Sequence, residues 1–238
     1  MNPLLTIIIP AFNEGAHLQD ILSRLRKVEW PEGVEVEYIL VNDGSTDLTG
    51  ELMQQFQREN PPGSCTLLTH RVNQGKGAAI RTALPYVNGQ YAVVQDGDNE
   101  YDPSDLATML KCVMEKRMPA LYGSRYLGGG RRDKSLYPMF YYGVRILSIT
   151  ANMLYRQHIT DEATCYKMID ANLLKSMPLR CKGFEFCPEV TARLGRKHIR
   201  IEEIPIRYTP RSMEEGKKIR FKDGLLALWI LIKYRLFL

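Results

Sequence analysis

Apolar residues along the first half of the chain fall in short blocks separated by polar and turn-forming stretches. The blocks at residues 4–9, 35–41, 65–69, 90–95 and 119–123 are each bounded by turn residues, the pattern of buried β-strands. Between them the spacing changes to that of helices. Leu18, Ile21, Leu22 and Leu25 follow an i, i+3, i+4, i+7 stripe, as do Leu106, Met109, Leu110 and Val113, while Leu48, Leu52 and Phe56 recur every four residues. This alternation predicts an α/β fold with a mostly parallel sheet and helices on both faces. From about residue 126 the pattern shifts: Gly128–Asp133 reads as a loop, Tyr137–Tyr155 as a long apolar and aromatic helix, and 164–169 and 199–208 as further strands. The expected organisation is one domain over 1–220, then a basic, Trp-containing C-terminal amphipathic helix over 221–238.

In parallel sheets ligands gather at the carboxyl ends of the strands. Four polar motifs fall at such ends: Pro10-Ala11-Phe12-Asn13-Glu14, Asn42-Asp43-Gly44-Ser45-Thr46-Asp47, Asn73-Gln74-Gly75-Lys76-Gly77 and Gln95-Asp96-Gly97-Asp98-Asn99-Glu100. As bare turns they also read as helix starts, with Ser45 or Thr46 capping one helix and Asp102-Pro103 opening another. The fourth is the most informative. Alternate side chains at a strand end return to one side, so Asp96, Asp98 and Glu100 are expected to converge on one hard cation, Mg²⁺ or Mn²⁺, completed by phosphate oxygens and water. Asp43 is placed to accept hydrogen bonds from a base edge or a ribose hydroxyl. Arg125, Arg211, Lys217 and Lys218 are candidate phosphate ligands. Together these point to an enzyme acting on a nucleotide diphosphate.

Charge and cysteine content narrow the partners. The 238 residues carry 32 Lys and Arg against 27 Asp and Glu, a net charge of +5, with a basic run at Lys217–Lys222. This suits anionic partners such as phosphates or membrane headgroups. Nucleic acid is not expected, since no aromatic-interleaved basic platform is present. The 5 cysteines show no CxxC spacing and read as reduced thiols of a cytosolic protein. The sequence opens almost directly on Leu4–Ile9 with no charged n-region before it, predicting no secretory signal. The longest strongly apolar run, Leu225–Ile232, is far short of the roughly 20 residues of a spanning helix. There is no GxxxxGK[ST] loop and no GxSxG elbow, and the 4 histidines lack metal-ligand spacing.

With these motifs assembled, the chain resembles glycosyltransferase family 2, and within it the polyprenyl-phosphate sugar transferases of the dolichyl-phosphate mannosyltransferase type. Besides the four strand-end motifs, Tyr122-Gly123-Ser124-Arg125-Tyr126 and Arg211 followed by Glu215-Gly216-Lys217-Lys218 carry the resemblance. It implies a GT-A, Rossmann-like nucleotide-diphospho-sugar fold with a nucleotide-sugar-binding half over 1–125 and an acceptor half over 126–220. The implied donor ligands are Pro10, Ala11, Phe12, Glu14, Val41, Asp43, Lys76, Asp96, Gly97, Asp98, Arg125, Arg211 and Lys217. The metal falls to Asp96, Asp98 and Glu100, and the catalytic set to Asp98, Arg125, Arg211, Lys217 and Asp161. Asp161 and Lys167 stand where relatives have groups near the acceptor. Asn42 departs from the usual aspartate, and the C-terminal transmembrane pair of many relatives is absent from this sequence.

The resemblance implies inverting transfer of a hexose from a UDP- or GDP-sugar to a polyprenyl phosphate. An acceptor phosphate is largely a dianion at pH 7 and attacks without a base. The alternative is transfer to a sugar hydroxyl in polysaccharide or glycan synthesis, which needs a base, for which Asp161 and Glu189 are the candidates. Trp229 among Leu225, Leu226, Leu228 and Ile230, with the 137–155 stretch, predicts a peripheral association with the cytosolic face of a membrane. The alternative is that Leu225–Ile232 packs on the domain or on a partner subunit, and a homo-oligomer is among the expected partners.

Overall fold

The computed structural model describes residues 5–127, 138–211 and 218–237. Leu4, the Gly128–Asp133 stretch, Tyr137 and the Glu215–Lys217 segment lie outside them. The strands are β1 (Leu5–Ala11), β2 (Val36–Asn42), β3 (Cys65–Thr69), β4 (Tyr91–Val94), β5 (Ala120–Ser124), β6 (Lys167–Asp170) and β7 (Glu202–Pro205). The helices are α1 (Leu18–Arg26), α2 (Thr49–Glu59), α3 (Lys76–Ala83), α4 (Ser104–Lys116), α5 (Pro138–Tyr155), α6 (Ala171–Lys175), α7 (Phe186–Arg196) and α8 (Phe221–Leu236).

One seven-stranded sheet runs β3-β2-β1-β4-β6-β5-β7. Every pairing is parallel except those of β6, which is antiparallel to β4 and β5. Every residue of β1 is buried, as befits a strand covered on both faces. Leu18, Ile21, Leu22 and Leu25 of α1 and Leu106, Met109, Leu110 and Val113 of α4 turn the predicted stripes into the core. Parallel pairing sets Pro10 opposite Val41, and Ile8 opposite Val94. The motifs after β1, β2 and β4 therefore emerge side by side at one edge of the sheet.

Several expected features differ. Residues 164–166 precede β6 rather than extending it. They are buried, but their backbone serves tertiary contacts, with Cys165 N–H donating to Tyr101 Oη at 3.0 Å. Ser45 and Thr46 do not cap α2. The Ser45 hydroxyl accepts from Asn13 N–H at 3.0 Å, Thr46 N–H donates to the Asn13 side chain at 2.9 Å, and Asp47 accepts from Gly15 N–H at 2.9 Å. These residues bind the first two motif loops to each other.

Helices α5 and α8 each have two apolar faces. Leu147, Ala151 and Tyr155 of α5 and Ala227, Leu231 and Tyr234 of α8 face the core, and Tyr155 Oη donates to Leu231 O at 2.6 Å. Outward, Tyr142, Ile146, Ile149 and Met153 follow a helical stripe, as do Leu225 and Trp229, all of them exposed. So the C-terminal helix α8 exposes Leu225 and Trp229 along with Lys222 and Arg235.

Candidate active site

A cavity of about 610 Å³ opens at the carboxyl edge of the sheet, within the range of roughly 300–1,000 Å³ usual for ligand pockets. Pro10 and Ala11 line it from the end of β1, Phe12 and Glu14 from the loop that follows, Asp43 from just past β2, Lys76 from the start of α3, and Asp96, Gly97, Asp98 and Glu100 from the loop after β4. Arg125 closes it from just past β5 and Arg211 from the late loop. Val41 is fully buried inside β2, and Asp161 is fully buried behind Arg125; neither is on the wall. Lys217 lies outside the described residues.

The acids and cations are interleaved. Lys76 Nζ lies 2.5 Å from Asp96 and 3.2 Å from Cys165 Sγ. Arg211 bonds Asp98 at 2.7 Å and Glu14 at 3.3 Å, and its backbone N–H donates to Glu100 at 2.9 Å. Lys218 adds a 2.6 Å pair with Glu14. Burial, then Asp96 and Glu100, push the Asp98 carboxyl up to about 7, and Arg211 offsets only part of this. Burial pulls the Lys76 pKa down, but the Asp96 carboxylate more than offsets this and holds it well above the ordinary range.

No three His, Cys, Asp or Glu side chains among the described residues converge as a metal-holding group. Of the three carboxylates expected at a cation, Asp96 and Asp98 pair with Lys76 and Arg211, and Glu100 accepts from Tyr208 Oη at 2.6 Å and from Arg211 N–H. The donor chemistry still fits a hard divalent ion. Mg²⁺ is held by one or two carboxylates plus phosphate and water, and Asp96 and Asp98 are two carboxylates on one loop of the cavity wall. A prediction follows from the raised pKa of Asp98. The native state holds a proton on Asp98 that the unfolded chain releases near pH 4, so this contribution is present below about pH 4 and fades by about pH 7. A divalent ion needs the ionised group, so Mg²⁺ is expected to raise Tm more at pH 8 than at pH 6. Equal shifts in differential scanning fluorimetry would contradict this.

Arg125 is held on all sides. Its Nε and a terminal nitrogen bond both Asp161 oxygens at 2.7 and 2.8 Å, its backbone N–H donates to Asp161 at 3.0 Å, and its guanidinium stacks 4.9 Å from the Tyr208 ring centre. Asp43 accepts from His70 Nδ1 at 2.6 Å, Gln74 N–H at 2.9 Å and Gly75 N–H at 2.8 Å, fixing the loop that leads to Lys76. Gly75, at φ 95°, is required there, since a side chain would strike Lys182 O. Lys167 turns inward, donating to Glu162 O at 2.6 Å. Glu189 is not on the cavity wall; it accepts from Arg180 and Cys181 N–H and from Tyr234 Oη. Sequence reasoning missed Tyr208, His70 and Glu162. His70 follows β3 and so carried a positional signal, whereas Tyr208 reaches Glu100 from 108 residues away.

Architecture and cavity place the chain among glycosyltransferases of GT-A fold. Glucosyl-3-phosphoglycerate synthase from Mycobacterium tuberculosis, solved with Mn²⁺, UDP and glucosyl-3-phosphoglycerate, superposes with a TM-score of 0.67 at 16% identity over 98% of this chain and 80% of that one, a likeness of fold. The chain belongs to glycosyltransferase family 2, whose model, described as "Glycosyl transferase family 2", matches residues 6–177. It is 26% identical to the UDP-N-acetylglucosamine–dolichyl-phosphate N-acetylglucosaminyltransferase of Methanococcus voltae, over 97% of this chain and 96% of the relative. It is 29% identical to the undecaprenyl-phosphate mannosyltransferase of Micrococcus luteus, over 88% and 85%.

Proposed function

We propose that the chain transfers a hexose, with inversion, from a UDP- or GDP-sugar to a polyprenyl phosphate at the cytosolic face of a membrane. One observation carries the acceptor reading: besides the charged strand-end residues, the same cavity is lined by Phe140, Val144 and Leu147 of α5 and Phe221, Leu225 and Leu228 of α8. A nucleotide diphosphate suits the charged residues and an apolar chain the apolar ones. The names of the relatives support the same pairing.

The donor diphosphate lies between the acidic loop and the cations Lys76, Arg125 and Arg211, with Lys217 proposed beside them. Mg²⁺ or Mn²⁺ held by Asp96 and Asp98 would supply Lewis-acid stabilisation of the leaving diphosphate. Arg125, oriented by Asp161, meets charge that grows as the anomeric bond breaks. Arg211, bonded to Asp98 and Glu14 in this structure, exchanges those partners for phosphate. The acceptor phosphate attacks as a dianion, which needs no base. Neither base proposed for a hydroxyl acceptor suits that role, since Asp161 is committed to Arg125 and Glu189 lies away from the cavity. Release of nucleoside diphosphate across a donor panel tests the reading: it is expected with polyprenyl phosphate and not with the free polyprenol. Release with the polyprenol would favour a hydroxyl acceptor.

No helix among the described residues is long and apolar enough to cross a membrane. The exposed Ile149, Met153, Leu225 and Trp229 and the basic 217–222 run instead suit an interfacial contact. The chain is expected to float with anionic liposomes, and Ile149→Glu with Trp229→Glu is expected to abolish flotation at unchanged Tm. A dimer by light scattering without flotation would assign the face to a second copy.

A further inference from the structure

Among the acids on the cavity wall, Glu162 stands apart. Glu14, Asp96, Asp98 and Glu100 are ion-paired, Asp43 accepts three hydrogen bonds, and Asp223 accepts from Arg220 N–H at 2.7 Å. Glu162 lies on the same wall, is fully buried, and neither of its carboxylate oxygens has a hydrogen-bond partner. Its backbone is pinned at both ends: Ser148 Oγ accepts from its N–H at 3.0 Å, and Lys167 Nζ donates to its C=O at 2.6 Å. Only the carboxyl end is left without a bond. Burial raises its pKa, against the pull of the Lys167 ammonium and of the Thr191 hydroxyl, which lies near the carboxyl but outside hydrogen-bond geometry.

A buried carboxyl without partners is costly to a fold. Such a cost points to a ligand that supplies the missing bonds. Among the substrates of the proposed reaction, on which this inference rests, hydroxyl donors are few. The acceptor offers an anionic phosphate, which a carboxylate repels, and a hydrocarbon chain, which has no donor. Ribose belongs to the Asp43 end of the cavity. The hexose follows the diphosphate, and Glu162 is the residue after Asp161, whose carboxylate holds Arg125. Ala163, Cys187 and Pro188 line the same stretch of wall and offer no side-chain oxygen to compete for a sugar hydroxyl.

We propose that Glu162 is a donor-specificity residue that binds a hydroxyl of the transferred hexose. A group kept for a ligand is dispensable to the fold. Replacing it with methionine of similar volume removes the desolvation cost but also the negative charge near the buried Lys167 ammonium, two opposed effects, so Glu162→Met is expected to leave Tm little changed.

The test is calorimetric titration of the whole chain in Mg²⁺ with UDP and UDP-glucose, and with GDP and GDP-mannose. Glu162→Met is expected to weaken the nucleotide sugar at least about tenfold while leaving the nucleoside diphosphate within about twofold. Glu162→Gln, which keeps an acceptor oxygen, is expected to fall between. Equal weakening of sugar and diphosphate, unchanged affinity for both, or a large drop in Tm for Glu162→Met would overturn the proposal. Unchanged sugar affinity with lost transfer and a lost acid limb of the pH–rate profile would also overturn it, making Glu162 a base for a hydroxyl acceptor. Failure of the unmodified chain to bind any nucleotide sugar would remove the donor reading itself.

Discussion

Alanine at position 98 is expected to leave a folded protein whose turnover falls by roughly a hundred- to a thousandfold, the scale of removing one electrostatic stabiliser of developing charge. Asp98 is the point at which the proposed metal site, Arg211 and the loop after β4 meet. The fold does not depend on its charge. The carboxyl is pushed up by burial and by Asp96 and Glu100, so removing it relieves repulsion even as Arg211 loses one partner and keeps Glu14. Tm is therefore expected to change little, and Mn²⁺ affinity, read by electron paramagnetic resonance, to fall. Steady-state rates within about threefold of the unmodified chain at saturating metal would contradict the role given to Asp98.

The second large effect falls on stability. Asp161 has no exposed surface and is the paired acceptor for Arg125 at three nitrogens. Asp161→Ala leaves a buried guanidinium without its counter-charge, a change that costs about 3–5 kcal/mol. For a chain of this length that corresponds to a fall in Tm of roughly 10 °C. Turnover should fall as well, because Arg125 would lose its paired acceptor and keep its contacts with the Tyr208 and Tyr126 rings. The pair is a unit, so Arg125→Leu combined with Asp161→Leu is expected to recover much of the stability while activity stays lost. Additive destabilisation in urea unfolding would show that the two residues act independently.

Much of this arrangement was legible because it is local. The apolar blocks of β1, β2, β4 and β5 and the stripes of α1 and α4 record burial on one or both faces of a single element. A parallel sheet then carries Glu14, Asp43, Asp96 and Arg125 to one edge without further information. The antiparallel β6 was not legible, since a strand of four residues reads alike in either direction. Nor was α3, where Gly77, Ala78 and Ala79 pack closely without a large apolar stripe. Contacts between distant segments left no pattern: Tyr208 meeting Glu100, Ser45 serving Asn13 rather than a cap, and the Arg211 backbone reaching Glu100. Glu162 was hidden for a related reason. An acidic residue beside Asp161 is unremarkable in sequence, and only packing reveals that it is buried without partners.

The central claim is that this family 2 glycosyltransferase loads a hexose onto a lipid phosphate, and mass spectrometry of the organic-solvent extract tests it most directly. Purified chain, Mg²⁺ or Mn²⁺, a nucleotide sugar and a short polyprenyl phosphate are expected to yield a lipid heavier by one hexose residue, dependent on metal and lost in Asp98→Ala. An unmodified lipid alongside nucleotide-sugar turnover, with the sugar recovered on a hydroxyl-bearing glycan, would contradict the account.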